Sequence, residues 1–327
     1  MANKIGLKVA AVVLASASLL SACSSAATPS ASGSAAGSSA PAKTLKIGVT
    51  FPILDQFLQK VADGITAEAK AKGVEVNIVA ADEKTDTQLG QVENFVSQKV
   101  DGIIVIPVDT DAAGPMTDAA VAAKIPLVYV NRRPADLPQG VPYVGSDSLY
   151  AGTVEMEQLA KLAGGKGNVV ILQGDPANEA AVLRTKGCND VVAKNPGMKV
   201  IKTQAGNWYR EKGQSIMENW LQSGDDIKVV CANNDEMALG AINAIKAANK
   251  KLGADGILVG GVDATSDALA AMKAGDLPVT VFQDAKGQGG GGVDAVVKLI
   301  GGETVDAVVD IPYVLVTPDN MADFAGK

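Results

Sequence analysis

Histidine is absent from all 327 residues. Without an imidazole there is no Ser-His-Asp triad, no Cys-His pair and no histidine metal ligand. Catalysis would have to rest on carboxylates, lysine or tyrosine alone. Aromatic residues are scarce, at 4%, so the place of each Trp and Phe matters. No basic cluster is present and the formal charge is −7. A nucleic-acid binder needs a positive stripe to meet phosphates, so that class is excluded. The apolar run from Val9 to Leu20 is too short to span a membrane, and no stop-transfer charges follow it. What remains is 47% hydrophobic and 20% charged, the composition of a globular chain. Its length suits two domains of ordinary size or one large one.

The first residues carry an address. Lys4 and Lys8 precede the apolar run, and small residues follow it to Ala22; this is the pattern of a secretory signal peptide over 1–22. Leu20-Ser21-Ala22-Cys23 resembles the bacterial lipobox, so Cys23 is expected to become the lipidated first residue. From Ser24 to Lys43 nearly every residue is Ser, Ala, Gly, Pro or Thr. Such a stretch buries little apolar surface, and 23–43 reads as a lipidated Cys and flexible tether. The expectation is a chain exported across the cytoplasmic membrane and lipid-anchored there, at a cell surface or a periplasmic face.

From Thr44 onward, short β-branched runs alternate with longer helical patterns. Leu45–Thr50, Val74–Ala80, Gly102–Ile106 and Pro126–Val130 read as buried parallel strands, with helices over Phe57–Lys72, Lys84–Ser97 and Asp111–Ala123 between them. The rhythm resumes with strands at Asn168–Leu172, Met198–Thr203, Lys228–Cys231, Gly256–Val262 and Val279–Phe282. Helices are expected at Asn178–Lys194, Glu211–Gln222, Asp235–Asn249 and Ser266–Ala274. This is an α/β pattern with right-handed crossovers. It has too many units for one open sheet, and Tyr143–Ser148 looks like the junction between two doubly wound lobes.

In open parallel sheets, ligands sit beyond the carboxyl ends of the strands. The residues just past the expected strands are Asn131-Arg132, Asn207-Trp208, Asn233-Asn234, Asp263 and Gln283. Loops are polar in any protein, so no single one of these carries weight. As a set, planar polar groups beside an aromatic face suit a polyhydroxylated ring, whose edge is hydroxyls and whose face is C–H.

Two stretches, Asn233-Asn234-Asp235-Glu236-Met237-Ala238-Leu239-Gly240 and Gly260-Gly261-Val262-Asp263-Ala264-Thr265, carry a specific likeness. There the chain resembles the periplasmic-binding-protein type I family, in its ribose, galactose and inositol branch. The likeness runs from about Lys46 to Asp323. Tyr129 to Pro134, Gly206-Asn207-Trp208 and Val281 to Ala285 look most like inositol- and rhizopine-type binders. The resemblance implies two parallel-sheet lobes joined by a three-segment hinge that closes on the ligand. The N-terminal lobe would be 44–147 plus 284–310, and the C-terminal lobe 148–283 plus 311–327. Carried over position by position, Phe57 and Trp208 match the two stacking aromatics, and Asp55 a polar group before the first. Asn131 and Arg132 match a pair that is often Asp-Arg, and Arg184 an Arg on the second lobe's first helix. Asn234, Asp263 and Gln283 match the remaining hydroxyl partners. Leu58 stands where ribose binders carry another aromatic and Asn131 replaces the usual Asp, which both argue against simple ribose specificity.

The resemblance further implies a monomeric lipoprotein that hands a cyclitol or monosaccharide, myo-inositol or a derivative first, to an ABC permease and its ATPase, without cofactor, metal or catalysis. The alternatives within the family are a ribose, galactose or alditol receptor, or a chemosensory receptor feeding a sensor kinase. The rival outside it is a carboxylate-based extracytoplasmic glycosidase, against which stands the lack of a nucleophile-base pair. Gly287 to Gly292 satisfies G-x-G-x-x-G but comes late in the chain and in a compositional glycine run. It reads as a helix start that permits close packing, not as a nucleotide site. After Cys23, two cysteines remain, Cys188 and Cys231. Export permits a disulfide between them, and two buried small hydrophobes is the other reading.

Overall fold

The computed structural model describes residues 43–327; the signal peptide, Cys23 and nearly all of the tether lie outside the described residues. The first strands are β1 (Lys46–Phe51), β2 (Glu75–Ala80), β3 (Gly102–Val105), β4 (Leu127–Val130) and β5 (Tyr143–Gly145), with helices α1 (Gln56–Lys72), α2 (Thr85–Ser97) and α3 (Gly114–Ala122) between them. They form a parallel sheet in the order β2-β1-β3-β4-β5, extended at its β5 edge by β11 (Val308–Asp310). The runs GIIV and LVYV of β3 and β4 are wholly buried, as expected of strands covered on both faces. Ile47, Val49 and Phe51 meet α1 and a long helix α9 (Ala285–Ile300) on one side. Ile103, Val105 and Tyr129 meet α2 and α3 on the other.

A second sheet repeats the plan. Strands β6 (Lys166–Gln173), β7 (Gly197–Ala205), β8 (Ile227–Ala232) and β9 (Leu258–Gly260) lie in the order β7-β6-β8-β9. Helices α4 (Ser148–Leu162) and α5 (Glu179–Ala193) cover one face. The other carries α6 (Arg210–Gln222), α7 (Asp235–Ala247) and α8 (Ser266–Lys273). A short antiparallel pair, β10 (Thr280–Phe282) with β12 (Val314–Val316), adjoins it through a bridge from Asp263 to Phe282. In each sheet the chain winds outward from the first strand on one side and then returns to wind on the other. That is the switch point at which such sheets bind ligands.

The chain passes between the sheets three times: from β5 to α4, from β10 to α9, and from β11 to β12. The structure differs from the sequence reading in a few elements. Helix α3 begins at Gly114 rather than Asp111, because the Asp109 carboxylate accepts from the backbone of Asp111 and Ala112 in a turn and Pro115 then opens the helix. The sequence reading singled out neither α4 nor the three-residue strands β11 and β12. Cys188 on α5 and Cys231 on β8 form a disulfide, with 6.7 Å between their Cα atoms. Among the described residues, no helix is long and apolar enough to cross a membrane.

Candidate functional site

The carboxyl ends of both sheets face one narrow cavity. All nine residues named above as ligand contacts line it: Asp55, Phe57, Asn131, Arg132, Arg184, Trp208, Asn234, Asp263 and Gln283, together with Leu58 and Ala180. Asp55 caps the first turn of α1, its Oδ1 accepting from the Leu58 N–H at 2.7 Å, which turns Phe57 into the cavity mouth. Asn131 and Arg132 follow β4, Trp208 follows β7, Asn234 caps α7, Asp263 follows β9 and Gln283 follows β10.

The backbone is held in uncommon conformations at several of these ends. Asn131 (φ 65°), Trp208 (φ 73°) and Asp263 (φ 123°) all lie in the left-handed half of conformational space. For an indole-bearing residue this is strained, and such strain persists only where the surroundings over-determine it. Around Trp208 they do. Its Nε1–H donates to Asn178 Oδ1 at 2.9 Å, its carbonyl accepts from Asn234 Nδ2 at 3.1 Å, and its ring lies over Gly174, where a Cβ would come within 2.2 Å of it.

Arg184 is the electrostatic centre. Only 4% exposed, it donates from Nη1 to the Asn233 carbonyl at 2.7 Å, and from Nη2 to Gln283 Oε1 at 2.8 Å and to the Tyr313 hydroxyl at 2.7 Å. Its guanidinium stacks near the Trp208 and Tyr313 rings, 5.6 Å from each centroid. Burial opposes its charge, but Tyr313 and Asp263 outweigh burial and hold its pKa above the ordinary value. Its Nε–H is buried without a protein partner. Burial drives the Asp263 carboxyl well above the usual range, with Arg184 opposing the shift, and no described residue donates to it. Burial also raises Asp55, against the Leu58 N–H and Arg132. Arg132 donates from Nη1 to the carbonyls of Pro107 at 3.1 Å and Val108 at 3.4 Å.

The two sheets' loops touch directly around the cavity. Thr110 donates to the Ala177 carbonyl from both its N–H and its hydroxyl, at 3.0 Å each. Asn178 donates to the Val108 carbonyl at 2.9 Å while accepting from Trp208. The structure is therefore a closed one.

A family model for a periplasmic binding protein domain matches residues 47–304. The chain belongs to that family. As a periplasmic binding protein it falls in the ribose and inositol type, solute-binding and extracytoplasmic. A relative from Rhizobium meliloti, named "Putative rhizopine-binding protein", is 44% identical over 86% of this chain and 93% of its own length. A xylitol-binding protein from Mycolicibacterium smegmatis is 36% identical over 86% of this chain and 80% of its own. Among solved structures, an ABC transporter solute-binding protein from Bacillus halodurans with bound myo-inositol superposes with a TM-score of 0.83 at 42% identity. That match covers 86% of this chain and 97% of the other.

Sequence reasoning missed the residues that hold the lining in place. Asn178, Tyr313 and Gln288 are all buried and bond to Trp208, Arg184 or Asn131. Asn178 carried a signal, since it precedes a helical pattern as a cap would, but its partners come from distant loops. Tyr313 lies past the last expected strand and carried none.

Proposed function

We propose that this periplasmic binding protein is the solute receptor of an ABC importer and captures a cyclitol, myo-inositol or a close derivative. The observation that carries the reading is the hydrogen-bonding capacity the lining keeps after its bonds within the protein. Donors remain at Arg184 Nε, on the far side of Arg132 and at Gln283 Nε2. Acceptors remain at Asp263, at the second oxygen of Asp55 and at Asn131 Oδ1. Donors and acceptors thus occur together in one lining, with Phe57 on one lobe and Trp208 on the other as aromatic surfaces. A hydroxyl both donates and accepts, so a ring bearing hydroxyls on every edge satisfies such a set, whereas a charged or apolar ligand leaves half of it unpaired. Asn234 is the exception: both ends of its amide are bonded, to Met237 N–H and to the Trp208 carbonyl, so it frames the stacking ring.

In this reading the lobes are 44–147 with 284–310 and 148–283 with 311–327, closing about the three crossings. Cys23 carries the lipid that keeps the receptor beside its permease. The solute leaves unchanged, since the lining offers no nucleophile with a base beside it. An alditol is the second reading, favoured by the xylitol-binding relative. A thermal-shift panel of inositols, pentoses, hexoses and alditols tests the assignment. A ligand at a hundred times its Kd adds about 2.7 kcal/mol, so inositols should raise the unfolding midpoint most. The largest shift with ribose, and none with any inositol, would contradict it.

A further inference from the structure

We infer that Gln288, which lies outside the cavity lining, fixes which end of the Asn131 amide faces the solute and so demands a hydrogen-bond donor there. This rests on the cavity being the solute site. Ile311 offers a backbone carbonyl, which only accepts, and Ser146 Oγ lies 2.5 Å from it. The serine's single proton is therefore spent on Ile311. Gln288 approaches the same Oγ at 2.8 Å, and with that proton spent the glutamine must be the donor, through Nε2. Its Oε1 then points at Asn131, 2.9 Å away, and must receive Nδ2. Gln288 is fully buried, so water does not compete for either end. The Asn131 backbone is pinned as well: its N–H donates to the Val144 carbonyl at 3.0 Å and its carbonyl accepts from the Tyr143 hydroxyl at 2.9 Å.

The amide thus presents Oδ1 to the cavity, an acceptor without charge. A hydroxyl or ammonium on the solute satisfies it; an ether, a keto oxygen or fluorine at that ring position does not. The relay is anchored where the lobes join. Ser146 lies in the first crossing, Ile311 in the third, and Gln288 in the first turn of α9 just after the second. Asn131 is consequently set by the hinge region and not by the loop that carries it.

Substitution of Asn131 by Asp keeps an acceptor toward the solute but sets a carboxylate against Gln288 Oε1. Gln288 must then turn over, which points Oε1 at Ser146 and pulls the serine's proton from Ile311. Myo-inositol titrated into Asn131→Asp should bind about tenfold more weakly or worse than into the parent. In a Ser146→Ala background Gln288 is free to turn and donate to the new carboxylate, so the same substitution should change the Kd by less than about twofold. The side-chain amide protons of Asn131, followed by NMR, should exchange slowly in the parent and rapidly in Gln288→Met. Equal losses in both backgrounds, or unchanged exchange in Gln288→Met, would overturn the relay alone. If Asn131→Ala leaves the Kd unchanged, Asn131 does not face the solute and the reading of the cavity falls with it.

Discussion

Arg184 and Asp263 face the cavity from the same lobe, and the structure sets their roles apart. Arg184 supports three partners besides the solute, so Arg184→Ala leaves the Asn233 carbonyl, Gln283 Oε1 and the Tyr313 hydroxyl each short of a donor. Loss of affinity for the preferred ring should reach about 2–5 kcal/mol, roughly thirtyfold or more. Asp263→Ala removes acceptors, and with them a charge that supports the buried Arg184, and should weaken binding in the same range. Calorimetry on both variants checks this, and binding within about a factor of two of the parent would move the site elsewhere. Asp235 is a buried carboxyl of a different kind. It bonds the Thr280 hydroxyl at 2.7 Å and the Thr265 N–H at 2.8 Å, yet burial raises its pKa from 3.8 to about 7. A carboxyl whose pKa is higher folded than unfolded lets the native state bind more protons between those two values. Its contribution to stability therefore falls as the pH rises through that window. Denaturant titrations of the parent between pH 4 and pH 7 should show this decline, and Asp235→Asn should make it shallower, the other raised carboxyls such as Asp263 and Asp55 keeping their share. An equal decline in the variant would assign the effect to another group.

Among the elements, the strands were the most legible, because β-branched runs buried on both faces leave few other readings. Helix α4 was less legible because it begins inside the first crossing, only three residues after β5, with no loop to set it apart from the junction. Strands β11 and β12 are too short for any period to show. The glycine run at 287–292 serves close packing, as its sequence reading expected. A Cβ on Gly289 would come within 2.2 Å of the Val61 carbonyl, and one on Gly64 within 2.4 Å of the Lys286 carbonyl, so α1 and α9 touch backbone to backbone. Gly289→Ala should therefore destabilise the protein by about 1–3 kcal/mol. Gly290→Ala, whose nearest neighbour is a side-chain carbon at 3.7 Å, should instead stabilise it by about 0.5–1 kcal/mol, since alanine suits a helix interior better. Chemical denaturation of the two variants decides the matter; similar losses at both positions would rule out the close crossing. The disulfide between Cys188 and Cys231 ties α5 to β8 across 43 residues of chain. Its removal by Cys188→Ser with Cys231→Ser should lower stability by about 2–4 kcal/mol, and two free thiols in the unreduced parent would show that no staple forms.

Over the whole molecule, sequence position alone reached the residues that follow strands, since the doubly wound plan sends every such loop to one crevice. Asp55, Phe57 and Arg184 came instead from family likeness, and Gln288, Asn178 and Tyr313 from neither. Their partners are distant in sequence: Asn131 meets Gln288 across 157 positions and Arg184 meets Tyr313 across 129. No local pattern encodes such pairs. The proposed lipid anchor belongs to this scale as well. It predicts that Cys23→Ser releases the protein from the membrane fraction while leaving solute affinity unchanged, because Cys23 lies outside the residues 43–327 that carry the cavity. Lipid recovered on that variant would refute the assignment. In the proposed function, two lobes close on a hydroxylated six-membered carbocycle. Isothermal titration of the folded chain with myo-inositol, at two or more temperatures, tests it most directly. A one-to-one heat with a negative heat-capacity change, stronger than that of ribose, is the expected result. Tight ribose binding with no heat from any inositol isomer would contradict it.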